Sequence, residues 1–437
     1  MKISRRLTWL LITTWGVIVL TGLATAGAAS MAAQVESPAT TQAFTPNSHV
    51  ADMLSQVQQS TVYTYDGQLS GEWPVLVGGE LYTIATRYTN SGEPIQKATQ
   101  YVYEHMQALS LTVSYHDWWY WMYSNRNVVG VLTGTTRPDE IVLIVAHLDD
   151  MPSSGSAPGA DDNASGSTGV LVAADILSHY EFERTLRFVF FTGEEQGMLG
   201  SGQYAQMVHD AGENIVAVYN MDMIAWNSDD DPTLGLHTRD PSDPGYAGDL
   251  AVAGVFTNVV SAYGLSSYLT PAIVADAESA SDHSSFWSRG YSAILAIEDW
   301  NDFNDYYHTS NDRLQSLDMA YFVNFVKASV GTAAHLAHPV EATGILTGPV
   351  SDAVTFSPIA GAQVKSALYP MYTDTSDAQG VYTLTLPVGV YSITASATGY
   401  WPKTIGGVTV TSTTTTLDIP LAPVRTTYMP IVFKSAP

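Results

Sequence analysis

The chain contains no cysteine. Disulfides, thiolate nucleophiles, thiolate zinc sites and iron–sulfur clusters are excluded, and any bound metal must be held by nitrogen and oxygen. Positive charge is scarce too: 17 Lys and Arg stand against 42 Asp and Glu, for a formal net charge of −25. Such a balance argues against neutralising a phosphate backbone and so against nucleic-acid binding. Long apolar runs are almost absent. In the one that occurs, Lys2, Arg5 and Arg6 precede LTWLLITTWGVIVLTGLA, and small residues fill Ala24 to Ser30. This pattern predicts a signal peptide over 1–30 and a secreted or extracytoplasmic mature protein. An uncleaved anchor is the alternative for that run; no other segment is apolar enough to span a bilayer. With 46% hydrophobic residues over 437 positions, the core is large enough without disulfides.

Residues 31–49 are rich in Ala, Thr, Gln, Ser and Pro and read as a flexible lead-in. From 50 to 338, near-continuous apolar runs alternate with helical patterns. Strands are expected at Val128–Thr133, Ile141–Ala146, Leu186–Phe191, Ile215–Met221 and Tyr291–Ile297. Helices are expected at Pro94–Leu109, Ser167–His179, Gly200–His209, Ala247–Tyr263 and Leu314–His335. The alternation is that of an α/β domain with a mixed, mainly parallel sheet sandwiched by helices. Residues 339–344 read as a linker. Over 345–424 the texture changes to short alternating segments, as in DAQGVYTLTLPVGVYSITASATGY, which predicts a small antiparallel β-sandwich. The tail 425–437 reads as one more strand or as an export or attachment tag.

Ligands of open α/β sheets sit beyond the carboxyl ends of the strands, and those ends are rich in acids and imidazoles here. IVLIVA runs into His147-Leu148-Asp149-Asp150, LRFVFF into Gly193-Glu194-Glu195, IVAVYNM into Asp222, and YSAILAI into a loop bearing His308. GADDNASG, with Asp161 and Asp162, precedes a helix between the first two. Each alone has a plain structural reading, as a turn, a helix cap or a solvated pair. Their convergence on one rim needs a cation. Two histidines and three carboxylates suit two zinc ions sharing a bridging carboxylate and a water activated for attack on a carbonyl. One glutamate of the adjacent pair then binds metal while its neighbour serves as general base.

In order, AHLDD, PGADDNASG, GEEQGMLGS, NMDM, SDHSSF and YYHTSND resemble the motifs of the secreted co-catalytic di-zinc aminopeptidases of the bacterial leucyl type. The resemblance implies the zinc exopeptidase fold, two zinc ions, and His147, Asp162, Glu195, Asp222 and His308 as metal ligands, with Asp162 bridging. It implies Glu194 as the general acid/base and Asp149 as the residue that orients the His147 imidazole. Residues 345–424 resemble the carboxypeptidase-regulatory-like domain. His283 could be a further ligand, but the resemblance gives the imidazole to His308; Ser281-Asp282 reads as a helix cap and loop brace. Glu278 stands where some relatives carry an oxyanion-stabilising tyrosine, for which Tyr306 and Tyr307 are weak substitutes. A structural role is expected for Arg87.

Trp300, Phe303 and Tyr307 are placed to line an apolar pocket for the first side chain of a peptide. YHDWWYWMY, Tyr115 to Tyr123, reads either as a sugar- or peptide-binding platform or, preferably, as a strand or hairpin packing rings on both faces. The expected activity is removal of apolar N-terminal residues from peptides or proteins. Two alternatives keep the fold: a single-zinc acyltransferase like the glutaminyl cyclases, and a receptor-like ectodomain without chemistry. A carboxypeptidase or deacylase would need a cation to receive a carboxylate, for which Arg289 and Arg313 are candidates. Oligomeric state is not encoded legibly.

Overall fold

The computed structural model describes residues 44, 46–152, 157–340, 343–367 and 372–424. The expected signal peptide, most of the lead-in, part of the linker and the tail from 425 lie outside the described residues.

Helices α1 (Ser48–Ser55) and α2 (Gln59–Leu69) and the small hairpin of β1 (Val75–Val77) and β2 (Glu80–Tyr82) lead to α3 (Glu93–Ala108). Asn47, at the end of the stretch read as lead-in, caps α1 by accepting from His49 N and Val50 N. The central sheet follows, with its helices: β3 (Thr112–Tyr120), β4 (Tyr123–Leu132), β5 (Arg137–His147), α4 (Gly166–Leu177), β6 (Arg184–Phe191), α5 (Leu199–Asp210) and β7 (Asn214–Met221). It is completed by β8 (Thr233–Thr238), α6 (Tyr246–Ala262), β9 (Thr270–Ala275), α7 (His283–Trp287), β10 (Ala293–Glu298) and α8 (Met319–Ala337). The eight strands run in the order β3-β4-β6-β5-β7-β10-β8-β9. Strands β6, β5, β7 and β10 are mutually parallel, and β4 and β8 flank them antiparallel.

The parallel core strands are apolar on both faces because both faces are covered. Leu143, Val145, Val189 and Phe191 pack on Tyr204, Ala205 and Val208 of α5 and on Phe286 of α7. Helices α4, α6 and α8 cover the opposite face. Parallel neighbours end at the same edge, so the sheet delivers His147, Gly193-Glu194 and Asp222 to one rim.

The C-terminal unit comprises β11 (Thr343–Asp352), β12 (Gln363–Ser366), β13 (Thr373–Thr375), β14 (Val381–Pro387), β15 (Gly389–Ser396), β16 (Lys403–Val410), β17 (Thr414–Thr416) and β18 (Ile419–Leu421). One sheet has the order β14-β11-β17, with β18 also on β11; the other is β13-β12-β15-β16. Alternate residues point inward, so that Leu346, Val364, Tyr382, Leu384, Ile393 and Ile419 form the core between the sheets. The sandwich is not wholly antiparallel as expected: β17 and β18 both pair with β11 in parallel. Helix α1 touches this unit, with Ser48 Oγ 3.2 Å from Tyr391 Oη and His49 Nε2 2.8 Å from Val388 O.

Candidate metal centre

His147 is the last residue of β5, and its side chain is fully buried. Nε2 lies 3.1 Å from Asp222 Oδ1, at the end of β7, and 3.4 Å from Asp162 Oδ1, in the loop leading to α4. Asp162 also serves a second group. His308 Nε2 stands 3.1 Å from Asp162 Oδ2 and 3.0 Å from Glu195 Oε2. The sequence-derived candidates His147, Asp162, Glu195, Asp222 and His308 thus meet in two clusters that share Asp162.

The donor atoms fit cations better than they fit one another. His308 Nε2, Asp162 Oδ2 and Glu195 Oε1 are buried and none makes a hydrogen bond of acceptable geometry. Bonds of about 2.0–2.1 Å in a tetrahedron separate donors by about 3.3 Å, and the spacings here are 3.0–3.4 Å. Imidazole and carboxylate without thiolate is a donor set suited to zinc.

The field of the cluster is strongly negative. Burial pushes the Glu194 carboxyl well above its ordinary range, opposed by His147 and reinforced by Asp282 and Asp222. Burial and the Asp162 charge bring Glu195 up to about 8. Burial disfavours charge on His308, yet Asp162 and Glu195 override it and hold the imidazole up at about 10. For His147 too, burial opposes protonation, and Asp222 and Glu194 more than offset it.

Asp149 does two things. Its main-chain carbonyl lies 3.1 Å from His147 Nδ1, which leaves Nε2 free to donate electrons toward the cluster. Its carboxylate is 3.8 Å from the same nitrogen. That carboxylate accepts from Thr89 Oγ1 at 2.7 Å and from the backbone N–H groups of Glu194 at 3.3 Å and Glu195 at 3.4 Å. Thr89 Oγ1 in turn accepts from Gly193 N at 3.1 Å. Asp149 and Thr89 therefore fasten the turn that carries both glutamates. Gly193 has φ +79°, and a Cβ there would lie 2.6 Å from the Trp118 ring, so only glycine suits the position.

Of the residues that brace this rim, sequence reading singled out only Arg87, for a structural role. Asp312 accepts from Asp161 N at 2.9 Å and Asp162 N at 3.0 Å. Asp161 accepts from Ala225 N at 3.0 Å and from Asn304 Nδ2 at 2.9 Å. It thereby joins the loops that carry Asp162, Asp222 and His308. Burial raises the carboxyl pKa of both Asp161 and Glu298. Arg87 is wholly buried and donates to the carbonyls of Leu69, Leu148, Pro158 and Gly159, bracing the His147 and Asp162 loops.

Ser281 Oγ donates to Asp222 Oδ2 at 2.7 Å, whereas Asp282 makes no side-chain cap to α7. Of the cap and brace expected of Ser281-Asp282, the Asp282 side chain, on a residue with helical backbone angles, makes no cap, and the brace is Ser281's. His283 lies outside both clusters, with Nε2 2.7 Å from Glu278 O. Arg313 is exposed and bonded to Glu72. A cleft of about 280 Å³ adjoins the cluster, with Met223, Leu295, Ile297, Trp300, Phe303 and Tyr307 on its walls. Tyr307 also stacks on His308 with 3.6 Å between ring centroids.

Residues 127–332 match the model of peptidase family M28, and residues 345–422 match that of the carboxypeptidase regulatory-like domain. A probable leucine aminopeptidase of Arthroderma benhamiae is 30% identical over 269 residues, spanning 59% of this chain and 69% of that one. The chain belongs to peptidase family M28. Among solved structures, the Legionella pneumophila LapA aminopeptidase superposes with a TM-score of 0.55 at 21% identity, covering 67% of this M28 chain and 76% of LapA. BSAP, a zinc aminopeptidase from Bacillus subtilis, superposes with a TM-score of 0.54 at 14% identity, covering 64% and 96%. At these identities the superpositions establish the fold: a mixed α/β core between helices. The second, strand-rich unit follows it in this M28 chain.

Proposed function

We propose that this M28 peptidase is a secreted zinc aminopeptidase that binds two ions and removes apolar N-terminal residues from peptides. The carrying observation is the pair of donor clusters joined through Asp162, with Glu194 beside them on the wall of an apolar cleft. His147 and Asp222 would hold one ion, Glu195 and His308 the other, and Asp162 both. Bound zinc supplies a Lewis acid for the scissile carbonyl and lowers the pKa of water.

The protein's own groups do the rest. Glu194 accepts the proton of the attacking water and returns it to the leaving amine, a transfer that requires it within hydrogen-bond reach of both. Asp149 and Thr89 fix the Glu194 backbone for that task. The walls formed by Met223, Leu295, Ile297, Trp300 and Phe303 receive the first side chain and exclude water from it. A free α-ammonium is attracted to the surrounding carboxylates, which is why the reaction is confined to N-termini.

The test compares leucine p-nitroanilide with its N-acetylated form. The free amine should be turned over and the acetylated compound should not; equal hydrolysis of both would refute exopeptidase action. Metal content separates this reading from a single-zinc cyclase. The signal-like run at the N-terminus supports export, and reporter fusion to residues 1–30 tests it.

A further inference from the structure

The aromatic segment Tyr115 to Tyr123 plays no part in the metal centre. It forms the tip of the β3–β4 hairpin, whose last pairs are Trp119 with Ser124 and Tyr120 with Tyr123. At the base of the hairpin the rings pack on both faces as expected from sequence, Tyr115 stacking on Tyr103 with 4.5 Å between centroids and His116 meeting Tyr204 edge-on from the other face; the outer tip does not. Trp118 alone of the tip is buried: its Nε1 donates to Thr192 Oγ1 at 2.9 Å, and its ring lies over Gly193. Trp119, Tyr120, Trp121 and Met122 are 70%, 47%, 77% and 86% exposed. Four consecutive apolar residues in water at a turn are not explained by folding.

Their position explains them. Side chains alternate along a strand, so Tyr120 points to the same side as Trp118, two residues further out. There it lines a cleft of about 330 Å³ with Gly197, Met198, Gly202, Gln203 and Arg289. The far end of the turn that carries Glu194 forms one wall of this cleft: Gly197 and Met198 line it, and their N–H groups both donate to Glu194 O at 2.7 Å. The proton carried by Glu194 must reach the leaving amine, which is the first atom of the peptide beyond the cut. That amine therefore lies beside the Glu194–Met198 turn, and each further residue advances about 3.3–3.6 Å. The second and third residues beyond the cut then fall over the cleft and within reach of the hairpin tip.

We infer that the Tyr120–Met122 tip and the adjoining cleft bind the part of a peptide substrate beyond the scissile bond, favouring apolar residues there. The inference rests on the aminopeptidase reading. It is tested by kcat/KM on two substrates: leucinamide, which has nothing beyond the cut, and a leucine-initiated pentapeptide with phenylalanine at its second and third positions. Replacing Tyr120 and Trp121 together by serine should lower kcat/KM on the pentapeptide about tenfold through KM, the factor expected for one lost aromatic contact. Leucinamide should be unaffected.

A second variant leaves the hairpin intact. Gly202→Leu fills the cleft from α5, where a Cβ would meet nothing nearer than Ser285 Oγ at 3.9 Å, and should give the same split. Equal losses on both substrates, or no loss on the pentapeptide with either variant, overturn the inference; a tip that instead held a membrane or a second copy would give the latter. No turnover of leucinamide by the native chain would count against the aminopeptidase reading itself.

Discussion

Replacing Thr89 by valine removes one hydroxyl and keeps the shape of the side chain. That hydroxyl donates to Asp149 Oδ2 at 2.7 Å and accepts from Gly193 N at 3.1 Å, in a site only 2% exposed. A hydrogen bond to a charged group is worth about 1.5–3 kcal/mol, and a buried N–H left unpaired costs about 1–3 kcal/mol. Stability should fall by about 2.5–6 kcal/mol, against the about 5–15 kcal/mol of a typical domain. The functional effect is separate. Asp149 would still face His147 through its carbonyl, so metal binding should persist, while the Gly193–Glu195 turn loses its bond to Thr89 and the Asp149 carboxylate that holds it loses its own donor. Displacement of a general base by about 1 Å costs on the order of a hundredfold in rate. The assay is kcat and KM on leucine p-nitroanilide, with urea unfolding and zinc content measured on the same preparation. Thr89→Ser should restore kcat. A valine variant that loses stability but keeps kcat would show Thr89 to be structural only. Zinc loss in parallel with kcat would show that the anchor serves the donors Glu195 and His147 rather than the position of Glu194.

Three further outcomes are expected. Glu194→Gln should lower kcat by about 10²–10⁴-fold, as for loss of a general base, with zinc content unchanged; undiminished hydrolysis would refute its assignment. Gly193→Ala should destabilise the fold by more than about 1 kcal/mol through its left-handed conformation alone, and should add a clash with Trp118; denaturant midpoints check it. Burial pushes His283 from its ordinary 6.5 down to about 4. Its folded pKa lies below the unfolded one, so the stability it contributes is present above pH 6.5 and is lost as pH falls toward 4. The loss is about 3 kcal/mol, and His283→Asn should flatten that part of the stability–pH profile relative to the native chain.

The rim was legible because the core strands are. IVLIVA and LRFVFF are apolar on both faces, and an acid or imidazole right after such a run stands out. Position along a strand also told which residues would share an edge. The braces were not legible. Thr89, Asp161, Asn304 and Asp312 act through pairings between distant loops, such as Asp312 with the Asp161 and Asp162 amides, and nothing local marks them. PGADDNASG did offer two acids, and the first proved to be the hub that joins three loops.

The elements passed over share one cause. Strand β8 (TLGLHT) is short and interrupted by glycine, and α2 (QSTVYTYDGQL) carries β-branched and aromatic residues that favour neither period. Both are held by packing rather than by propensity. The hairpin tip misled for the opposite reason. Aromatic density predicts burial in general, and here it marks a surface.

The central claim is a two-ion centre bridged by Asp162. Elemental mass spectrometry of the zinc-loaded chain after dialysis against metal-free buffer tests it most directly. The native chain should retain two zinc ions, and Asp162→Ala fewer than one, because the substitution removes a donor from both clusters at once. A native chain that holds a single ion with all five donors intact, or an Asp162→Ala chain that keeps two, would contradict it.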